Sequence, residues 1–415
     1  MKPDATAGSP GAVGSTFWDS DRMTMTEAIE STIQSLRVFA ASHRHWAIGF
    51  SGGKDSGTVA SLVPHLIRFG KVPKPETLTV LYADTRMELP PLRAAADEML
   101  AALRGMGTRT QVVLPPMEDR FFVYMLGRGV PPPSNTFRWC TPMLKVDPMV
   151  AALRSLRESS GEKVLMITGV RVGESAARDG RIALSCGRNG AECGQGWFQE
   201  TTPESVADTL APILHWRVCL VWKWLRDYAP ELGYPTRLIA ESYGGDEAEE
   251  VNARTGCVGC NLASRDLALE TIVRNPKWSH LEPLMELRAV YAELKRPWRR
   301  LRKDGTERRK DGVMVQNPNR MGPLTFEARE WGLAQIKRIQ AMARVNLINP
   351  EEEAEIRTMI ANRTWPNGWD GSEPRADVPM HETIADGVVQ PVFLDLLRGT
   401  QSNAPALPPG EKGAQ

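Results

Sequence analysis

The sequence predicts an α/β fold, in which a parallel β-sheet carries helices on both faces and a helical region follows. Between residues 25 and 170, short apolar runs alternate with helical patterns, which is typical of parallel strands joined by helical crossovers. The apolar runs are continuous, as expected for strands that are buried on both faces. Hydrophobic residues make up 42% and charged residues 24% of the 415 residues, which excludes wholesale disorder.

The individual elements can be assigned in chain order from this periodicity. Apolar residues recur at helical spacing over residues 25–43, and Thr24 or Thr26 is suited to cap that helix. Strands are then predicted at residues 46–50, 77–83, 110–114 and 164–170. Further helices are predicted at residues 58–69, 92–103, 148–158, 218–228, 281–294 and 326–345.

Three predicted loops follow strands of the sheet, after Phe50, Ala83 and Thr168. The carboxyl ends of parallel strands share one edge of a sheet, so we expect the ligand site there. Residues 179–210 lack periodicity and form a long predicted loop. The patterns divide the chain into four regions. These are a flexible N-terminus (residues 1–24), a catalytic α/β domain (25–265), a helical C-terminal region with a basic stretch (266–369) and a tail (370–415).

Charge and cysteine content narrow the class of protein. Lys and Arg number 51 against 50 Asp and Glu, so the net charge is +1 and any nucleic-acid surface must be a local patch. Six cysteines are too few for a disulfide scaffold and favour metal or redox use in a reducing compartment. No run approaches the ~18 apolar residues of a membrane span, and no signal peptide is visible. We therefore expect a cytoplasmic protein without a membrane partner.

A glycine-rich segment follows the first predicted strand and opens a helix; we call it the phosphate loop. Gly52 and Gly53 permit a tight turn and close approach of the backbone to an anion. Helix N–H groups favour phosphate at that position, and two serine hydroxyls and the charge of Lys54 add to them. The segment reads Ser51-Gly52-Gly53-Lys54-Asp55-Ser56.

Asp55 separates this segment from a Walker A loop, which has Ser or Thr directly after its lysine. A carboxylate so close to phosphate either binds Mg²⁺ or organises the loop. A strand–helix turn without any ligand is the alternative, since Gly-Gly turns are common. The full run in its strand–turn–helix context is much more specific than a lone glycine pattern, so the sequence favours a phosphate site.

The phosphate loop resembles the PP-loop of the ATP pyrophosphatase superfamily, and other segments resemble its phosphoadenosine phosphosulfate (PAPS) reductase branch. Those segments are Tyr82-Ala83-Asp84-Thr85, Arg138-Trp139-Cys140 with Lys145, Gly169-Val170-Arg171 with Arg178, and Pro212-Ile213 with Trp216 and Trp222. The resemblance implies an adenine nucleotide alpha hydrolase-like sheet that binds ATP with Mg²⁺. Independently of this resemblance, basic side chains at the ends of strands favour the binding of a triphosphate. Each basic residue taken alone is equally well explained as a solvated surface charge. We expect Trp216 and Trp222 to lie in the core.

Within that branch, the chain resembles the DndC and SspD sulfurtransferases of DNA phosphorothioation, over roughly residues 45–345. This resemblance implies an ATP pyrophosphatase that adenylates the DNA backbone phosphate for sulfur insertion in bacterial defence. It also implies a cysteine desulfurase as sulfur donor and other phosphorothioation proteins as partners. One alternative is a sulfonucleotide reductase, but the C-terminal cysteine usual there is absent after Cys260. The other is a catalytically silent ATP-binding regulator, which the intact phosphate loop disfavours.

The resemblance and the residue chemistry together assign roles to single positions. The expected catalytic residues are Ser51, Lys54, Asp55, Arg171 and Arg178. The expected nucleotide-binding residues are Ser51, Gly52, Gly53, Lys54, Asp55, Ser56, Asp84, Lys145 and Gly169.

Cys257 and Cys260 have a spacing typical of metal ligands, because both thiolates can reach one centre. The family resemblance implies a [4Fe–4S] cluster with Cys140 as a further ligand. Family members usually carry a cysteine nine residues before the pair, where this chain has Ala248. The fourth ligand must then come from elsewhere. Zinc held by four thiolates, or a set of inert thiols, is the alternative.

Two cysteines of the predicted long loop are candidates for the fourth ligand. We prefer Cys193, which leaves Cys186 as a sulfur-carrying thiol, although the two roles can be exchanged. Cys219 lies in an apolar helical pattern, so we expect it to be buried.

Residues 295–310 form a basic stretch with nine Lys and Arg against Asp304 and Glu307, a net +7. Such a patch can neutralise DNA phosphates, and Trp298 within it can stack on a base. From composition alone, a solvated charged hairpin or helix end is at least as well supported.

Overall fold

The computed structural model describes residues 23–173, 203, 205–243, 257–263, 265–303, 312 and 320–377, with the backbone of 383–385 and 388–390. A five-stranded parallel sheet forms its centre, in the order β3-β2-β1-β4-β5. Its strands are β1 His45–Phe50, β2 Thr77–Ala83, β3 Arg109–Val113, β4 Val164–Ile167 and β5 Ala207–Leu210. The register places Ile48 of the central strand beside Val80 on one side and Ile167 on the other.

Helices flank the sheet and make up most of the C-terminal region, which confirms the predicted fold class. The α-helices are α1 Met25–Phe39, α2 Lys54–Arg68, α3 Pro90–Gly105, α4 Asp147–Ser160, α5 Val218–Lys223, α6 Arg237–Glu241, α7 Leu267–Ile272, α8 Leu287–Leu294, α9 Phe326–Ala343 and α10 Pro350–Ala361. Shorter helical segments are Met117–Asp119, Val123–Gly127, Pro142–Val146, Trp224–Tyr228, Ala229–Glu231, Pro276–Glu286 and Pro297–Arg299. None of the helices in the described part of the chain is long and apolar enough to cross a membrane.

The core explains why these segments take these conformations. The central strand β1 buries Trp46, Ile48 and Phe50, and a strand covered on both faces needs such a continuous apolar run. Helix α1 begins at a capping box, in which Thr24 accepts from the Glu27 N–H and Glu27 accepts from the Thr24 N–H. The sequence left Thr24 and Thr26 open, and the structure selects Thr24.

Several elements differ from their sequence predictions. Strand β5 lies in the stretch predicted as a long loop, because an edge strand of four residues with Asp208 and Thr209 carries little apolar signal. In the C-terminal region, strands β6 Arg300–Arg302 and β7 Met321–Leu324 form an antiparallel pair. Residues of the predicted tail extend it, since Arg302 N donates to Pro374 O at 2.9 Å. A further hairpin joins β8 Thr383–Ala385 to β9 Val388–Gln390.

The two tryptophans expected in the core are there. Trp216 and Trp222 are 2% and 1% exposed, respectively. The indole N–H of Trp216 donates to Ala28 O at 3.1 Å and to Thr32 Oγ1 at 3.0 Å, which fastens the loop before α5 to helix α1. The prediction that both tryptophans lie in the core is therefore confirmed.

Candidate functional site

The phosphate loop connects the carboxyl end of β1 to the N-terminus of α2. Gly52 has φ +76°, a conformation that L side chains rarely adopt. The Ser51 N–H donates to Ser56 Oγ at 3.1 Å, and the two serine hydroxyls lie 3.0 Å apart. Gly53 precedes α2 without a side-chain cap, so the helix presents backbone donors to an anion there.

Asp55 lies at the centre of an ion-pair network within this loop. Its Oδ1 accepts from Arg171 Nε at 2.5 Å, and its Oδ2 lies 3.1 Å from Lys54 Nζ. Arg171 is 5% exposed and also donates to the Trp216 carbonyl at 3.0 Å. Each of the two Asp55 carboxylate oxygens therefore lies beside a cation, and both of its predicted roles, as a Mg²⁺ ligand and as organiser of the loop, stay predictions.

Gly169 brings the end of β4 against the start of α2. A Cβ at this position would lie 2.6 Å from the Asp55 carbonyl carbon and 2.7 Å from the Ser56 nitrogen. Only glycine permits this approach, because the opposing atoms are backbone and have no freedom to move aside. The sheet changes winding direction at β1 and β4, so the site lies at the topological switch point.

Residues 84–89, which follow β2, form the next part of the edge; we call them the β2 loop. Asp84 is 3% exposed and accepts from the Arg86 N–H at 2.9 Å and from the Arg93 guanidinium. The Thr85 hydroxyl donates to Glu88 Oε1 at 2.6 Å. These contacts fix the positions of two carboxylates of the β2 loop.

The turn Cys257–Cys260 packs on the β2 loop. The Val258 N–H donates to the Met87 carbonyl at 2.7 Å, and the Cys260 N–H closes the turn on the Cys257 carbonyl at 3.0 Å. Gly259 has φ +64°, and a Cβ there would lie 2.7 Å from the Leu287 Cβ of helix α8. The turn is thus held between the carboxyl edge of the sheet and the C-terminal helices.

Cys140, Lys145 and Glu88 lie within electrostatic range of this turn, and with Cys257 and Cys260 they form what we call the thiol cluster. Burial raises the pKa of Cys257 to about 11, and the Lys145 ammonium lowers it in part. The pKa of Lys145 is raised, first by Cys257 and then also by Glu88, Cys140 and Cys260. Burial raises the pKa of Cys140, and the charge of Cys260 raises it further. The thiols therefore lie within electrostatic range of one another.

Buried polar atoms around the thiol cluster lack partners. Within the described residues, Glu88 Oε2 and the Tyr291 hydroxyl are buried without a hydrogen bond. The pKa of Tyr291 is raised by burial and by the charges of Cys257 and Cys260. No three His, Cys, Asp or Glu side chains in this part of the chain lie close enough to hold one metal ion. Thiols are the donors that iron–sulfur clusters take in proteins, so the residue types suit such a group, although their positions in this structure do not form its site.

Of the predicted site residues, the structure brings together the phosphate loop, Asp84, Gly169 and Arg171 at one edge of the sheet, while Lys145 lies near the three thiols. Arg178, Cys186 and Cys193 lie outside the described residues. Cys219 corrects a prediction, because it is exposed on the outer face of α5 while Leu220, Val221 and Trp222 face the core.

Tyr243 is a site residue that sequence reasoning missed. Its hydroxyl accepts from the Lys54 N–H at 3.3 Å, and its ring lies 5.5 Å from Lys54 Nζ. It packs edge-on against Trp222 with ring centroids 5.2 Å apart. A single tyrosine 189 residues from Lys54 carries no motif, so no sequence signal marked it.

The described half of the basic stretch is largely engaged in structural contacts. Arg299 pairs with Glu293 at 2.9 Å and stacks 4.4 Å from the Trp331 ring centroid. Lys303 pairs with Glu373 at 3.2 Å, and Arg300 donates to the Gly322 carbonyl at 2.8 Å. These residues connect segments of the C-terminal region, and the phosphate-binding role of the basic stretch stays a prediction. Residues 304–310 lie outside the described residues.

Comparison with known proteins shows what the α/β part of the chain is similar to. Residues 45–231 match the model of the phosphoadenosine phosphosulfate reductase domain. One similar structure is a PAPS reductase from Candida auris in a phosphate complex, which is 12% identical to this chain and has a TM-score of 0.33. The match covers 50% of this chain and 90% of the reductase chain. Another is the U34-tRNA thiolase of Methanococcus maripaludis with its [4Fe–4S] cluster, which is 15% identical to this chain and has a TM-score of 0.33. That match covers 65% of this chain and 79% of the thiolase chain. No curated protein matches. All five strands of the parallel sheet lie within residues 45–231, where the chain is similar to the phosphoadenosine phosphosulfate reductase domain.

Proposed function

We propose that this protein is an ATP pyrophosphatase and sulfurtransferase that adenylates the DNA backbone phosphate for sulfur insertion, as in the DndC and SspD systems. The observation that carries the proposal is the shared position of the phosphate loop and the thiol cluster. The phosphate loop follows β1, the β2 loop follows the neighbouring strand β2, and the Met87–Val258 hydrogen bond attaches the turn Cys257–Cys260 to the β2 loop. A site with a triphosphate cradle beside three thiols suits activation followed by sulfur transfer.

The phosphate loop performs the activation step in this proposal. Ser51, Gly52, Gly53 and Ser56 hold the β- and γ-phosphates of ATP, whose charge is balanced by Mg²⁺. A phosphate oxygen of the DNA attacks the α-phosphorus, and pyrophosphate leaves. Arg171 stabilises the charge on the leaving group. The product is an adenylated backbone phosphate, which is needed because a phosphate oxygen is otherwise a poor leaving group.

The thiol cluster serves the second step. Cys140, Cys257 and Cys260 are suited to hold a [4Fe–4S] cluster with Cys193 or Cys186, and such a cluster supplies a binding site for sulfur. The ammonium of Lys145 favours anionic sulfur beside Cys257. The terminal sulfur of a cysteine persulfide attacks the DNA phosphorus, the bond to the adenylate oxygen breaks, and AMP leaves. A thiol reductant then cleaves the S–S bond, which releases the carrier cysteine and leaves one sulfur on the DNA. A cysteine desulfurase supplies the sulfur, and other phosphorothioation proteins assemble with the enzyme.

The test supplies ATP, Mg²⁺, a DNA duplex, cysteine, a cysteine desulfurase and a thiol reductant under anaerobic conditions. Expected products are pyrophosphate, AMP and DNA phosphorothioate detected by mass spectrometry after nuclease digestion. Ser51→Ala should lose all three, because the hydroxyl belongs to the cradle. Wild-type turnover by Ser51→Ala would contradict the assignment of the phosphate loop.

A parallel reaction separates the alternative activity. PAPS or adenylyl sulfate with reduced thioredoxin should yield no sulfite, because this chain has no cysteine after Cys260 to carry a sulfonucleotide reductase cycle. Sulfite formation without phosphorothioate would replace the proposed function with a reductase activity.

A further inference from the structure

One buried carboxylate connects helix α10 to the β2 loop. Glu352, the third residue of α10, is 3% exposed. Its Oε1 accepts from Arg86 Nε at 3.3 Å and from Arg120 Nη1 at 3.1 Å. Its Oε2 accepts from the Asn349 N–H at 3.0 Å and from Arg86 Nη2 at 3.5 Å. Because both oxygens are engaged from three directions, the position of this carboxylate is fixed.

Arg86 is the partner of Glu352 that reaches the candidate site. Its φ of +63° is disfavoured for a residue with a Cβ. Its backbone N–H donates to Asp84 Oδ1 at 2.9 Å, while its guanidinium binds Glu352. Backbone in such a conformation persists where the surroundings determine it from several sides. Asp84 therefore fixes the backbone of Arg86, and Glu352 fixes its guanidinium.

The neighbours of Arg86 in the β2 loop contact the rest of the site. The Thr85 hydroxyl donates to Glu88 of the thiol cluster. The Met87 carbonyl accepts from Val258, inside the turn Cys257–Cys260. A change at Arg86 is therefore transmitted both to the Asp84 carboxylate and to the turn that carries two thiols.

We propose that Glu352 is a positioning residue for the candidate site. By holding the Arg86 guanidinium, it sets the β2 loop and with it the Asp84 carboxylate, from a position 266 residues further along the chain. Helix α10 thereby completes the catalytic unit of the α/β domain. The proposal rests on the proposed function for one point, which is that Asp84 belongs to the ATP site.

Glu352→Gln tests the proposal in the full chain. Glutamine keeps the side-chain shape and can still cap the helix, but it removes the charge that pairs with two arginines. Glu351→Gln, at the exposed preceding residue, is the matched control. Amide hydrogen exchange of residues 84–89, measured without nucleotide, should become about tenfold faster in Glu352→Gln and stay unchanged in Glu351→Gln. In pyrophosphate release, the KM for ATP should rise about tenfold while kcat stays within about twofold.

Arg86→Asn removes the same contact from its other side. Asparagine tolerates a positive φ and lacks the guanidinium, so its effect on exchange should match that of Glu352→Gln. The double variant should exchange no faster than either single variant, because both remove one interaction. Wild-type exchange in Glu352→Gln, or additive effects in the double variant, would overturn the proposal. Absence of ATP turnover by the wild type would refute the proposed function, and the exchange measurement would still decide the role of Glu352.

Discussion

The phosphate loop and the thiol cluster lie at the same edge of the sheet, yet they are built in opposite ways. The phosphate loop is six consecutive residues whose main charge, Asp55, is fully paired by Arg171 and Lys54. The thiol cluster takes its groups from distant segments, and Glu88 Oε2 beside it has no hydrogen-bond partner among the described residues. The phosphate loop is thus held by ion pairs of its own, whereas the thiol cluster includes a buried carboxylate oxygen without a hydrogen bond among the described residues.

The largest expected effect concerns the pairing of Asp55. Asp55→Asn leaves the nearly buried Arg171 without its counter-charge and should lower the rate of pyrophosphate release by about 10²–10³-fold. It should also destabilise the fold by about 3–5 kcal/mol, because one partner of a buried pair is removed. Stopped-flow pyrophosphate detection and urea denaturation measure the two effects.

Glu270→Gln is the control for Asp55→Asn, since it removes only the exposed pair with Arg265. It should change stability by less than about 1 kcal/mol and leave turnover intact. Equal effects of the two substitutions would show that Asp55 is an ordinary surface charge.

The thiol cluster can be tested by metal content. Cys140→Ser, Cys257→Ser and Cys260→Ser, purified anaerobically, should each lose most of the iron and acid-labile sulfide of the wild type. Cys219→Ser should retain both, because Cys219 is exposed on α5 and outside the cluster. Zinc in place of iron, or full iron in all three variants, would reject the proposed cluster. The same measurement on Cys186→Ser and Cys193→Ser assigns the fourth ligand.

The close approach of β4 to the phosphate loop gives a smaller effect. Gly169→Ala places a Cβ 2.6 Å from the Asp55 backbone and must push the loop away from its position. We expect the KM for ATP to rise about tenfold and stability to fall by about 1–3 kcal/mol. Gly105→Ala, where nothing lies within 4 Å of the added Cβ, should affect neither. An unchanged KM in Gly169→Ala would show that the loop tolerates displacement.

The smallest predicted effect belongs to Tyr243. Tyr243→Phe removes the hydroxyl that accepts from the Lys54 N–H but keeps the ring against Trp222. The KM for ATP should change by about two- to fivefold, which corresponds to one modest hydrogen bond. Binding of ATP measured by calorimetry checks this. A complete loss of binding would instead make Tyr243 a direct ligand of the nucleotide.

The same contrast explains what the sequence could predict. The phosphate loop and Gly169 were predictable because each needs a particular residue type in a strand–turn–helix context. The Cys257–Cys260 pair was predictable from spacing. The contacts that connect these parts were not predictable, since the hydrogen bonds Met87–Val258 and Tyr243–Lys54 depend on tertiary packing. The prediction that Cys219 is buried was wrong, because an apolar helix still has an outer face. Counting charges also did not reveal that Arg299 and Lys303 bind partners within the C-terminal region.

The central claim is that activation and sulfur transfer are two steps of one site, so the most direct measurement follows pyrophosphate and DNA-bound sulfur in the same reaction. The wild type should produce both. Asp55→Asn should lose both, and Cys257→Ser should keep pyrophosphate release while losing sulfur insertion. Sulfur insertion by Cys257→Ser at the wild-type rate, or by Asp55→Asn without pyrophosphate release, would contradict the claim.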